Sequence, residues 1–315
     1  MQNFIIDQYG KYDFDKFNRD YRNEFYGIEA CLFKSEEDID YMVTESKKKR
    51  FNIGIHFPLR AGVYKLRDPQ FLAKKENMRN EAFRCINEEL NYIKQKKINP
   101  KHIIFHYPKP VILNGNVDWT NWRFADSSEY VYESEYSYEE FVEQSEYLFE
   151  WFSEKSLEYN FIPVLELDGI SKYIYKTGIL EDLLDKFEKI KLCIDTARLH
   201  IQDMMEAMFD PADILRRFSK YAEEIHLSNA KVTNCVEYAH YPVLPSLKRS
   251  EGWADIESYL KIIRENNPNI KVMFEHRSDL ISDEELEICY SWVNKLLKGA
   301  CNGHITEKIQ KTIYS

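Results

Sequence analysis

The sequence predicts a single (β/α)8 barrel. Three observations carry the prediction: eight short apolar runs of strand length, longer charged segments with helical periodicity between them, and an acidic or histidine residue near the end of the last six runs. The runs are 4–8 (FIIDQ), 26–31 (YGIEAC), 52–57 (NIGIHF), 102–107 (HIIFHY), 161–167 (FIPVLEL), 191–196 (KLCIDT), 224–229 (EIHLSN) and 270–276 (IKVMFEH). Most are nearly continuous in apolar character, as strands of a parallel sheet covered on both faces are.

Segments 36–49, 71–96, 137–158, 179–189, 211–222, 254–265 and 283–298 carry apolar residues three and four apart and are the predicted helices. Ser35, Asp210 followed by Pro211, and Ser282 followed by an acidic turn supply starts that satisfy exposed amides and the helix dipole. Asn160, and Asn267 with Pro268, stand where a helix must stop and the chain re-enter the sheet. No Gly/Ser-rich or low-complexity linker divides the chain, so residues 1–315 are expected to form one domain. Two long connections follow strands, 108–136 and 230–253. In a barrel they belong to the C-terminal face, where function resides.

Composition narrows the function classes. Hydrophobic residues form 44% of the 315 and aromatic residues 15%, enough to fill a large core and to exclude a disordered chain. The formal net charge of -10 repels a phosphate backbone and disfavours nucleic acid as a partner. Cys31, Cys85, Cys193, Cys235, Cys289 and Cys301 show no CxxC pair, which suits free thiols in a reducing, cytoplasmic setting. The opening MQNFIIDQYGKYDF lacks a basic region followed by a long apolar run, and no membrane association is expected.

His56, His106, Glu166, Asp195, His226 and Glu275 interrupt six successive runs near their C-terminal ends, which places them on one rim of the barrel. A single histidine at a strand end is ordinarily a hydrogen-bonded core residue, and a single buried carboxylate can pair with an arginine. Taken together the six differ, because three carboxylates at one buried rim repel one another unless a cation is shared among them. Convergent carboxylates and imidazoles are what a divalent cation needs.

The ordered series HFP, FHYP, LELDG, CIDT, IHLSN and FEH resembles the xylose-isomerase-like barrel superfamily, which includes sugar isomerases and epimerases and the family 2 AP endonucleases. The resemblance covers roughly residues 26–298, and its specificity lies in the order and spacing of short motifs. It implies a divalent ion held by Glu166, Asp195, His226 and Glu275, whose three oxygens and one nitrogen suit one Mn2+ or Mg2+ and tolerate Co2+ or Zn2+. Glu166 and Glu275 would then move a proton off and onto carbon through a metal-stabilised enediolate of a small carbohydrate-like substrate. His56, His106, Arg198, Lys231 and Arg277 are the expected substrate contacts. A homo-oligomer is compatible with this reading.

Departures from the pattern matter equally. Relatives commonly read D-T-x-H after the sixth strand, whereas this chain reads Asp195-Thr196-Ala197-Arg198, with His200 two positions further on. The Asp-x-His pair that follows strand seven in the nucleases is replaced by Ser228-Asn229-Ala230-Lys231-Val232, and His240 reads as a surface loop residue. His56 and His106 resemble extra zinc ligands of that nuclease branch. An endonuclease IV-like zinc phosphodiesterase acting on abasic DNA is therefore the alternative enzyme, and a non-catalytic ligand-binding barrel the alternative outside catalysis.

Overall fold

Parallel pairing closes eight strands into a barrel: β1 (Phe4–Tyr9), β2 (Gly27–Cys31), β3 (Asn52–His56), β4 (His102–Tyr107), β5 (Ile162–Leu167), β6 (Lys191–Asp195), β7 (Ala222–His226) and β8 (Lys271–Phe274), with β8 paired back to β1. The computed structural model describes residues 1–299. Each of the eight apolar runs forms one strand. The seventh ends early, at His226, because Asn229 opens a separate antiparallel ribbon, Asn229–Val232 with Val236–Tyr241. Among the cysteines, Cys31, Cys85, Cys193, Cys235 and Cys289 are free, while Cys301 lies outside the described residues.

The helices are α1 (Phe14–Asp20), α2 (Glu36–Lys49), α3 (Glu76–Gln95), α4 (Tyr138–Tyr159), α5 (Lys172–Tyr175), α6 (Ile179–Lys186), α7 (Thr196–Met205), α8 (Pro211–Phe218), α9 (Ile256–Asn266) and α10 (Asp283–Lys298). Ser35 and Asp210 accept amide hydrogen bonds at the starts of α2 and α8, and Ser282 forms a reciprocal capping pair with Glu285 at the start of α10. Asn160 ends α4 in the left-handed region, at φ 56°. The helix expected from residue 71 begins only at Glu76. Phe71 and Leu72 bury themselves as a loop, with the Leu72 amide bonded to the Lys109 carbonyl.

Alternation along each strand separates two environments. Outward residues such as Ile28, Ile55, Phe105, Leu165, Ile194, Ile225 and Phe274 join one apolar cluster with the inner faces of the helices. Inward residues are different in kind: Ile104, Val164 and Cys193 form a small apolar plug, Ile5 and Met273 are buried as well, and Glu29, His56, His102, His106, Glu166, Asp195, Glu224 and His226 share the interior with them. Barrel interiors are ordinarily filled by branched aliphatic chains, so this polar interior is the feature that calls for a chemical explanation.

His276, just past β8, is buried against Phe274 with ring centroids 5.4 Å apart, and its Nδ1 has no hydrogen-bond partner. Burial, reinforced by the charges of Lys16 and Arg19, pushes its pKa from 6.5 down to about 3. The unfolded chain therefore takes up this proton before the folded chain does. The stability contributed by the neutral ring is complete above pH 6.5 and is lost as pH falls toward 3. Denaturant unfolding at about pH 7.5 and about pH 5 is expected to show a smaller acid penalty in His276→Phe than in the parent, by about 2 kcal/mol. Equal penalties in the two proteins would remove His276 from the account.

Candidate metal centre

Glu166, at the end of β5, is fully buried and has its two oxygens in different surroundings. Its Oε2 lies 2.9 Å from His56 Nε2 and 3.0 Å from His106 Nε2. Its Oε1 has no hydrogen bond and stands 3.5 Å from His226 Nδ1. The same nitrogen is 3.5 Å from Glu275 Oε2, and both of those atoms are also buried without a hydrogen-bond partner. Asp195 completes the group: one oxygen from each of Glu166, Asp195 and Glu275 lies within 4.8 Å of the others. Four side chains from consecutive strands β5 to β8 thus meet at the mouth.

Their spacing can be tested against a shared cation. Donors bound at ~2.1 Å stand ~3.0–3.4 Å apart around one ion, whereas a good hydrogen bond to a carboxylate closes below ~3 Å. Separations of 3.5 Å between unpartnered atoms suit the first arrangement better than the second. Charge agrees. Asp68, Glu129, Glu166, Asp168, Asp195 and Glu275 face Arg67, Lys109 and Arg198, so six carboxylates meet three permanent cations and three negative charges are left over. A divalent ion and one imidazolium would cancel that excess. His106 is placed to be the imidazolium: burial opposes its protonation, but Asp68 at 2.7 Å and Glu166 raise its pKa to about 9. Burial, then the charge of Glu275, lift Asp195 to about 6 despite Arg198.

Arg198 occupies the position where the resembled family has a histidine, and α7 explains its direction. Asp195 Oδ1 accepts from the amides of Ala197 (2.7 Å) and Arg198 (3.1 Å), so the residue that ends β6 also starts a helix. Arg198 then reaches back across the mouth. Its Nε is 3.2 Å from Asp195 Oδ2 and 3.4 Å from Glu166 Oε1, and its guanidinium pairs with Asp168. Lys109, wholly buried, bridges Asp68 at 2.9 Å and Asp168 at 2.6 Å. Burial alone would raise the Asp168 pKa, but Arg198 and Lys109 hold it well below the usual carboxylate range.

The remaining expected contacts lie elsewhere. Lys231 pairs with Glu237 at 2.7 Å on the antiparallel ribbon, and Arg277 pairs with Asp279 at 2.6 Å in solvent. His200 turns away to the Gly252 carbonyl at 2.9 Å. His240, by contrast, is not a remote surface residue. The ribbon carries it over the mouth, where its unpartnered Nδ1 lies 3.7 Å from Glu275 Oε2. Sequence reasoning also passed over Asp68 and Asp168. Asp168 is two residues beyond Glu166 and shares its face by simple alternation, whereas Asp68 comes from a loop with no periodic signal.

The two long connections form the walls of the mouth. In 108–136, Val111–Leu113 pairs with Tyr130–Tyr132, and Trp122 packs over Gly169, where a side chain would strike Val111. Trp253 is buried against Tyr238, with rings 5.7 Å apart and nearly parallel. Glu206 on the α7 side binds Asn114 (3.0 Å), Tyr175 (2.7 Å) and Gln202 (2.9 Å), fastening the first wall to the helix that Asp195 caps.

No family model and no curated protein sequence matches the chain. Solved structures do match. The chain superposes on 3-keto-D-glucoside 4-epimerase, YcjR, from E. coli with a TM-score of 0.58 at 11% identity, covering 93% of this chain and 99% of that one. For D-psicose 3-epimerase the TM-score is 0.57 at 11% identity, covering 94% and 100%. For the AP endonuclease, family 2, from Brucella melitensis it is 0.52 at 11% identity, covering 91% and 97%. At such identities the likeness is one of fold.

Proposed function

We propose, for a chain that has the fold of the xylose isomerase-like barrels, that it is a divalent-metal-dependent isomerase or epimerase of a sugar or sugar-derived substrate. The observation that carries the reading is the meeting of Glu166 Oε1, His226 Nδ1 and Glu275 Oε2, all buried and unpartnered, beside Asp195.

Glu166, Asp195, His226 and Glu275 are the residues that would hold the ion, Mn2+ or Mg2+ in preference to Co2+ or Zn2+. When bound, it polarises a substrate carbonyl and acidifies the adjacent carbon. Glu275 is the more open of the two glutamates, with its side chain 27% exposed, and it takes the proton from carbon. Burial opposes its ionisation, but His226 and His240 hold it down to about 2, so it is a carboxylate at neutral pH. Glu166 returns the proton. His56 and His106 act through Glu166 by fixing its orientation. Arg198 and His240 supply donors to substrate oxygens at the mouth.

The test is hydrogen exchange. Metal-loaded protein in deuterated water is expected to wash deuterium into one carbon position of at least one member of a panel of ketoses, sugar acids and inositols, read by proton NMR. A panel without exchange, run with each of the four metals, would refute the proposal.

A second reading, phosphodiester hydrolysis at abasic DNA, has one observation in its favour: His56 and His106 converge on one oxygen of Glu166. Against it stand Arg198 in the place of a nitrogen ligand, the run Ser228 to Val232, and the net charge of -10. Cleavage of an abasic duplex by the zinc-loaded protein would favour it.

A further inference from the structure

Deeper in the barrel than the mouth carboxylates, Glu29 of β2, His102 of β4 and Glu224 of β7 form a second polar group, each at most 2% exposed. His102 Nε2 is 3.6 Å from Glu29 Oε2 and 3.4 Å from Glu224 Oε2. Neither ring nitrogen of His102, neither carboxylate oxygen of Glu224 and not Glu29 Oε2 makes a hydrogen bond among the described residues. Gly54 makes the room, since a Cβ there would run into the His102 ring.

Two buried carboxylates without partners are too costly to persist unless positive charge is brought to them. Protons, on the imidazoles or on the carboxyls themselves, are one source and a metal ion is the other. The barrel contains its own comparison. Where an imidazole and a carboxylate share a proton here, they close to 2.7 Å (His106 with Asp68) and 2.9 Å (His56 with Glu166). The inner pairs stay at 3.4 Å and 3.6 Å, close to the ~3.0–3.4 Å between donors around one ion with ~2.1 Å bonds. His226 cannot supply the missing charge if its Nδ1 serves the mouth, because the ring is then neutral. Its Nε2 lies 3.3 Å from Glu29 Oε1 without a hydrogen bond between them.

We propose that Glu29, His102 and Glu224 form a second metal site, structural in role, for a first-row transition dication such as Zn2+. Three donors sealed from water suit tetrahedral zinc better than Mg2+, which usually keeps several waters, or Ca2+, which takes six to eight oxygens. Cys193 stands near enough to add a softer donor, with its sulfur and one donor atom each of Glu224 and His226 within 4.8 Å of one another. Two carboxylates and a dication leave the interior neutral, and sealed donors imply that the ion enters as the chain folds. The inference leans on the mouth reading only through the neutral state of His226.

The deciding experiment is anomalous diffraction at the zinc edge from crystals of the full chain refolded and grown with Zn2+. The expected result is a peak within ~2.3 Å of His102 Nε2 and of oxygens of Glu29 and Glu224, separate from any peak at the mouth. Anomalous density confined to the mouth, or absent from the barrel interior, overturns the proposal. An inner peak without a mouth peak supports it, and crystals grown with Mn2+ then decide the mouth separately. In parallel, Glu224→Gln is expected to lose one zinc per chain relative to the parent after native dialysis against a chelator. A folded Glu224→Gln protein with undiminished zinc would also overturn it. The diffraction experiment uses the unaltered chain and decides even where that variant does not fold.

Discussion

Replacing Glu275 by glutamine is expected to lower the rate of carbon-hydrogen exchange with solvent by roughly three orders of magnitude, about 4 kcal/mol of barrier, while the circular dichroism spectrum stays that of the parent. The amide keeps the size of the side chain but can neither accept a proton from carbon nor offer the ion a charged oxygen. Because Glu275 also faces the ion, the comparison is made at saturating Mn2+, so that lost occupancy does not pass for lost chemistry. Glu166→Gln is expected to match it. Its two imidazole neighbours at 2.9 Å and 3.0 Å then lose a carboxylate partner and leave the carboxamide less well held. Exchange at the parent rate in both variants would remove these residues from the proton path.

The second large effect concerns the ion itself. Asp195→Asn is expected to weaken Mn2+ binding at the mouth by at least ~100-fold, read by isothermal titration of chelator-treated protein, with little loss of thermal stability in the metal-free state. Asparagine caps a helix about as well as aspartate, so α7 keeps its start at Ala197 and Arg198. Only the charge goes. Arg198 then retains Glu166 and Asp168 as partners and the mouth carries one negative charge fewer. At a hundredfold excess over Kd the parent should gain about 2.7 kcal/mol from added Mn2+, a gain the variant should not show at the same concentration. Unchanged affinity would place the ion elsewhere.

The barrel and the mouth cluster were legible for the same reason. A strand sealed on both faces is written almost wholly in apolar residues, so Glu166, Asp195, His226 and Glu275 stand out where they break the run. The inner group follows the same rule read one step further back. His102 lies two alternations before His106, Glu224 one before His226, and Glu29 one before Cys31, so all three face inward. His102 and Glu224 open their apolar runs, where a polar residue looks like the end of a loop, and Glu29 sits in the middle of its run, away from the strand end. Asp68 carried no such mark. Its place depends on Lys109 and His106, distant in sequence, and nothing in RDPQF foretells it. Arg198, Lys231 and Arg277 show the limit of proximity as a guide: all three follow strand ends, but only the first lies on a helix aimed across the mouth.

The bond between Asn114 and Glu206 has a mechanical consequence. With Tyr175 and Gln202 gathered on the same carboxylate, one flank of the entrance is riveted to the scaffold beneath it. A flank held in this way is expected to move little when a ligand enters, so the outline of that side of the entrance is set by the scaffold beneath it.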